Sequence, residues 1–336
     1  VTRFLSFLVT LLFAGTLHAA CTGPSQFHAL PTADQTTLRD QAAKTAYPEG
    51  ILWQVEKDGI TSYILGTMHF PHPDHARTMA RITPLMDRVD QVFVEITKTD
   101  ELAMMRRLTT SPDLYLITEG PSLLERLGEK AWNDLKPRLQ ASGMPPFMAA
   151  RYQPWFLGLA LSAPPCVLQD IKSGLKGIDK KVMEIATAAD LPLSSLDKVD
   201  TLLALLASDP IDKQVEDFRK GLAFGFDGSN NIEAMQALYF DEEIALVWEF
   251  AVFDAHAKNR ATDAMPAAEL DAQLATFTDR LVTARNGAWL DTLAPALSQS
   301  PAFVAVGALH LPGPDGLLLG LERRGFTVTR LPLAAE

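Results

Sequence analysis

Two stretches of this chain repeat one arrangement of reactive and structural residues. They are Gly66-Thr67-Met68-His69-Phe70-Pro71-His72-Pro73-Asp74 and Gly307-Ala308-Leu309-His310-Leu311-Pro312-Gly313-Pro314-Asp315, each reading G-x-x-H-x-P-x-P-D. An imidazole changes charge near neutral pH and binds metals through either ring nitrogen, so a histidine pair suits proton transfer or a metal ion. A carboxylate for the pair is Glu95, in the apolar run Val92-Phe93-Val94-Glu95-Ile96. A carboxylate at the end of a buried strand is costly unless paired, protonated or bound to a cation; the other reading is a rim residue that meets water. His69, His310 and Glu95 would hold a divalent ion with room for a water. Without metal, the same groups suit general acid–base hydrolysis, with histidine as base and Glu95 orienting it. Arg285, in Thr283-Ala284-Arg285-Asn286-Gly287-Ala288-Trp289, is either a surface arginine or the anchor of a substrate carboxylate or oxyanion. Gly66 and Gly307 are expected to turn the backbone sharply at positive φ and to keep the site open.

The remaining histidines fit less well. His72 has Gly313 as its counterpart in the second stretch, so His72 and His75 read as solvated loop residues. The spacing of His69, His72 and His75 suggests a local metal site, but Pro71 and Pro73 forbid the helix that would align them. His28 and His256 stand alone in helical stretches and read as ordinary residues.

The elements around the motifs decide whether the histidines meet. Thr61-Ser62-Tyr63-Ile64-Leu65 and Phe303-Val304-Ala305-Val306 read as buried strands. Each motif is followed by a Pro-broken turn, a helical stretch and another strand, Val92–Ile96 and Phe326–Leu331 respectively. A strand–GxxH–helix–strand unit used twice in one α/β mixed sheet places both histidines at strand carboxyl ends, where such folds keep their chemistry. A hairpin turning at Asp58-Gly59 leads into the first motif. Residues 31–46 read as a helix capped by Thr32, residues 76–88 as one that Pro84 should bend or break, and 147–161 as one interrupted at Pro154. Residues 175–189 carry amphipathic spacing, and a short strand then ends at Asp197, a second carboxylate at a carboxyl end. From 201 to about 295 the pattern is wholly helical and reads as an insertion or cap over the sheet.

The chain has 336 residues, 47% of them hydrophobic, and a net charge of −11. That composition supports a sizeable core, and no Lys/Arg cluster offers a nucleic-acid groove or an anionic-membrane patch. Residues 1–20 read as a secretory signal, with Arg3 before an apolar run too short to span a bilayer and Ala19-Ala20 at the cut. The mature chain, one domain over 21–336, is then periplasmic or secreted, with no integral membrane segment. The two cysteines, Cys21 and Cys166, pair most simply as a disulfide in an oxidising compartment. The competing reading makes Cys21 a lipidated terminus, although His18 stands where a lipoprotein signal wants an aliphatic residue.

With these residues in place the chain resembles the TraB/GumN family. The resemblance is carried by the paired G-x-x-H motifs, Val94-Glu95-Ile96, Arg285-Asn286 and Val306-Gly307-Ala308-Leu309-His310-Leu311-Pro312-Gly313, and runs from about Leu52 to Leu331. It implies a fold of the erythromycin-esterase/ChaN-like α/β type. Through the animal Tiki members it implies a divalent-metal-dependent peptidase; the sequence does not name the ion, for which Mn, Co and Zn are the candidates. Their essential histidines, glutamate and arginine map onto His69, His310, Glu95 and Arg285. Where many relatives end the mid-chain strand in Leu-Glu, this chain has Leu196-Asp197. The leading expectation is an exported metal-dependent hydrolase acting on a peptide or other small or extended substrate. A metal-independent esterase-type hydrolase and a non-catalytic protein that binds peptide or polysaccharide remain beside it.

Overall fold

The computed structural model describes residues 24–223 and 229–333. The expected signal segment and Cys21 lie outside the described residues. Cys166 lies in the first turn of the helix Pro165–Lys172 rather than in a turn between elements, because Pro164 and Pro165 start that helix.

Six strands form one mixed sheet: β1 (Leu52–Lys57), β2 (Ile60–Thr67), β3 (Gln91–Val94), β4 (Leu193–Ser195), β5 (Ala302–Gly307) and β6 (Thr327–Arg330). Their order is β4-β3-β5-β2-β1-β6. β1 runs against both its neighbours, while β2–β5, β5–β3 and β3–β4 are parallel. Asp58 and Gly59 both take positive φ, 52° and 80°, which is the geometry of a tight hairpin turn between β1 and β2.

The central parallel strands β3 and β5 are apolar on both faces, as strands covered on both sides must be. On β5, Phe303 and Ala305 pack toward the helices His75–Met86 and Ile178–Ala188. Val304 and Val306 pack the other way, onto the helices Ala284–Leu297 and Leu317–Glu322. β3 divides likewise, with Val92 and Val94 on the first side and Phe93 on the second. Each fully buried aliphatic side chain contributes about 1.5–3 kcal/mol.

In chain order β2 is followed by the helix His75–Met86 and β3, and β5 by the helix Leu317–Glu322 and β6, but the two connections are not equivalent. After β2 the chain crosses one face and enters β3 beyond β5. After β5 it crosses the other face and enters β6 at the opposite edge. The two crossovers therefore leave neighbouring strands for opposite faces of the sheet, and the carboxyl ends of β2 and β5 border the crevice between them, where α/β sheets bind ligands.

Several local expectations change. Pro84 does not break its helix, which continues from His75 to Met86. Pro84 and Ala80, whose carbonyl loses its partner, are both exposed, so water can replace the missing bond. Thr32 is the first helical residue after Pro31 rather than a cap, and the 175–189 helix begins at Ile178. The helical stretch after residue 198 is present, but its last member, Ala284–Leu297, covers the sheet itself through Trp289, Leu290, Leu293 and Leu297. His75 is not a loop residue but is wholly buried at the start of its helix; His72 does lie in the loop, with its ring packed 4.5 Å from that of Phe240 and 20% of its side chain exposed.

His75 has a thermodynamic consequence. Its Nε2 bonds the carbonyl of Phe70 at 2.9 Å, and its buried Nδ1 has no partner. Burial therefore pushes its pKa down from 6.5 to about 4. The unfolded chain takes up this proton first, so the stabilisation is complete above the unfolded pKa and disappears as pH falls toward the folded one. It amounts to at most about 3 kcal/mol. We expect denaturant midpoints to fall more steeply from pH 7 to pH 5 in wild type than in His75→Gln. Parallel pH profiles would contradict the assignment.

Candidate functional site

β2 and β5 pair in parallel with Gly66 opposite Val306 and Thr67 opposite Gly307, so the two motif loops leave the sheet side by side. His69 follows β2 directly, and His310 closes the short turn Ala308–His310 after β5. The motif glycines are required by space rather than by φ. Gly307 has φ −50°, and Gly66 is not among the positive-φ residues. A Cβ on Gly66 would stand 2.8 Å from the side chain of Leu311, and one on Gly307 would stand 3.0 Å from Glu95 Oε1. The same point at Gly307 is 3.5 Å from the His310 ring and 4.0 Å from His69 Nε2, so glutamate and both imidazoles crowd around this missing side chain.

Glu95 leaves the end of β3 and Asp197 follows β4, the adjacent parallel strand. Arg285 joins them. Its Nη2 bonds Glu95 Oε2 and lies 2.6 Å from Asp197 Oδ2, while its Nε donates to Asp197 Oδ1 at 3.3 Å. Its Nη1 donates to the carbonyl of Leu281 at 3.1 Å and to His310 Nε2 at 3.2 Å. A guanidinium has five N–H donors, and all are used here. In this arrangement Arg285 has none left for the substrate carboxylate or oxyanion expected of it, and it serves to position Glu95, Asp197 and His310. Asp197 is completed by Trp289 Nε1–H at 2.9 Å and Glu95 by the backbone N–H of Gly307 at 2.6 Å. Burial pushes the Glu95 carboxyl up, but Arg285, aided by His310, His69 and the Gly307 N–H, holds it below the usual carboxylate range.

The two histidines are oriented from behind in the same way. Asn286 donates its amide N–H groups to the carbonyls of His310 and Asp315, at 3.1 and 2.9 Å. Its Oδ1 must then accept from His310 Nδ1–H, at 2.7 Å, which leaves the lone pair on Nε2. Burial pushes His310 down to about 4, with Arg285 and His69 adding to the effect, so it is neutral at pH 7. His69 Nδ1 bonds Asp179 Oδ2 at 2.9 Å, and Thr67 Oγ1 holds the other oxygen of Asp179. This bond pushes His69 up to about 9 against burial, although 65% of its side chain is exposed and solvent screens the pairing. Glu95, Arg285, His69 and His310 line one cleft of about 240 Å³, beside Tyr239, whose hydroxyl ties down the carbonyl of Gly66 at 2.8 Å.

The two imidazoles are the residue types that would hold a divalent ion, but His310 Nε2 accepts from Arg285 here. Each imidazole has its Nδ1 bound to a neighbouring oxygen, as metal-ligating histidines do. Glu95 as third ligand is less well placed, because one oxygen faces Arg285 and the other the Gly307 N–H. Among the described residues no group of three His, Cys, Asp or Glu side chains is spaced to hold a metal.

Three functional neighbours escaped the sequence reading. Asp179 looked like an ordinary acid in a helix's first turn, although Gly177 just before it has no room for a Cβ, which would fall 2.0 Å from the carbonyl of His69. Trp289 lies four residues after Arg285, and that helical spacing was its available signal, whereas Asn286, one residue after Arg285, had none of that kind.

Removing the cation should cost more than any single contact suggests. Arg285, Glu95 and Asp197 expose only 16%, 15% and 9% of their side chains. We expect Arg285→Met to leave two buried carboxylates uncompensated and to destabilise the fold by about 3–5 kcal/mol in denaturant titrations. A loss near that of a surface substitution, within about 0.5 kcal/mol, would contradict the network.

No curated protein and no solved structure matches the chain significantly. The model of the TraB/PrgY/gumN family matches residues 51–330, from just before β1 to the end of β6. The span takes in both histidine motifs, Glu95, Asp197 and Arg285, and the chain therefore belongs to the TraB/PrgY/gumN family.

Proposed function

We propose that this chain is an exported hydrolase, peptidase-like in its substrate, whose water is activated between His69 and His310. The observation that supports this most strongly is the matched pair of imidazoles at the diverging crossovers of β2 and β5. Each is held through Nδ1, by Asp179 or by Asn286, and each borders the same cleft. His310 Nε2 carries the lone pair that would take a proton from water, and the water would reach it by displacing the Arg285 Nη1–H that Nε2 now accepts. His69 stands across the cleft, where Asp179 keeps it ready to donate Nε2–H to a leaving group or developing oxyanion.

A second form, which family resemblance favours, has a divalent ion on His310 and on a His69 that has given up its Nε2 proton, with Glu95 beside them. The outer bonds from Asp179 and Asn286 support it too. Such an ion would bring water toward ionisation near neutral pH. The metal-free, esterase-like form is supported by the engagement of both carboxylates with Arg285. The acidic chain has no clustered Lys/Arg, which favours peptide over nucleic-acid substrates. Among the described residues no helix is long and apolar enough to cross a membrane.

The test uses mature protein, stripped by chelator and reloaded with Mn, Co or Zn, on quenched-peptide and ester libraries. Metal-restored peptide cleavage is expected, abolished by His69→Ala and His310→Ala and lowered by orders of magnitude in Glu95→Gln. Cleavage that survives complete metal removal supports the metal-free form. No turnover of any library member in any metal state would overturn the hydrolase and leave a binding protein.

A further inference from the structure

A second cleft adjoins the first. It measures about 290 Å³ and is walled by Trp248, Phe277, Val282, Leu309 and the Pro312–Gly316 end of the second motif. Phe277, Val282 and Leu309 also line the cleft of the two histidines, so the cavities share a wall. Trp248 and Phe277 stack with ring centroids 6.2 Å apart and planes 9° from parallel, and Phe277 remains 50% exposed. Val282 reaches both clefts from the π-helical segment Asp279–Thr283, which immediately precedes Arg285. Such segments are rare and recur at functional sites.

The chemistry of this cleft is selective. The charged residues lining it are Glu249 and Asp315, and no Lys or Arg does so. Burial pushes the Glu249 carboxyl up, in keeping with its apolar surroundings. A cavity of roughly 150 Å³ accepts benzene, so this one has room for a phenyl or indole group. It is also linked to the chemistry by a single loop. Leu309 precedes His310 directly, Asp315 lies at the loop's far end, and Asn286 donates to the carbonyls of both His310 and Asp315.

We propose that the Trp248–Phe277 cleft is the specificity subsite of this hydrolase, receiving a large uncharged side chain, aromatic foremost, next to the bond that is cut. This rests on the hydrolase reading and names its substrate class, peptides with an aromatic or large aliphatic residue at the scissile position. Acidic residues there are repelled by Glu249 and Asp315, and small ones leave the cleft unfilled.

Thr45 offers the test, because it lines this cleft and not the catalytic one. Thr45→Trp should fill the space, while Thr45→Val leaves it open. In a peptide library with Phe, Leu, Gly or Asp beside the cleaved bond, wild type should favour Phe over Gly in kcat/KM by at least about tenfold. Thr45→Trp should bring that ratio to parity and Thr45→Val should preserve it. Should Thr45→Trp fail to fold, Phe277→Ala should lower the same ratio by removing one ring of the stack. Equal cleavage of Phe and Gly peptides by wild type, or an unchanged ratio in folded Thr45→Trp, would overturn the subsite. If wild type cuts no peptide, the hydrolase reading fails, and the cleft is then judged by saturation-transfer NMR with N-acetyl-phenylalanine amide. Transfer to its ring that Thr45→Trp abolishes would keep an aromatic-binding cleft, and equal transfer in both proteins would remove it.

Discussion

The site depends on one buried cation. Arg285 lies between Glu95 and Asp197, two carboxylates delivered by adjacent parallel strands, and its charge offsets the cost of taking both out of water. Because the guanidinium is planar and its donors point in fixed directions, it also sets where those carboxylates lie relative to His310. Trp289 adds a face to this assembly, with the guanidinium 4.5 Å above its ring and the His310 ring tilted against it at 4.4 Å. A lysine could replace the charge but not this geometry. The short side chain of Asp197 is matched to Arg285 and Trp289 rather than to the histidines.

The backbone provides what side chains cannot. Gly307 lets Glu95 approach β5 closely enough to accept its N–H, and Gly177 lets the helix that carries Asp179 press against the carbonyl of His69. These contacts join the two motif loops to elements distant in sequence. His69 is held by the helix Ile178–Ala188 on one face of the sheet, and His310 by the helix Ala284–Leu297 on the other. The divergence of the crossovers between β2 and β5 is therefore also the reason the two histidines have different environments, one exposed and ion-paired, one buried and neutral.

How much of this the sequence disclosed varies with the range of the interaction. The strands that carry His69 and His310 were legible because parallel buried strands are apolar throughout, and Glu95 was legible because strand alternation isolates a lone carboxylate. Helix Ala284–Leu297 could be read as helix but not as a layer of the sheet, since Trp289, Leu290 and Leu293 look the same whether they face a sheet or a cap. The burial of His75 was hidden because it depends on Tyr239 and Phe240, far along the chain. The motif glycines invited a φ argument, whereas their cause is the close approach of Glu95 and Leu311, which spacing does not encode. Asp179 was hidden most completely, because a helix's first turn is where an acid needs no other explanation.

The central claim is that this network makes one histidine a neutral base and the other a cation facing it. Nitrogen-15 NMR of the imidazoles in metal-free mature protein at pH 7 reads both states directly. The account requires His310 as the Nδ1–H tautomer with an unprotonated Nε2, unchanged down to about pH 5, and His69 protonated on both nitrogens. A His310 protonated on Nε2, or a His69 already neutral at pH 7, would contradict it.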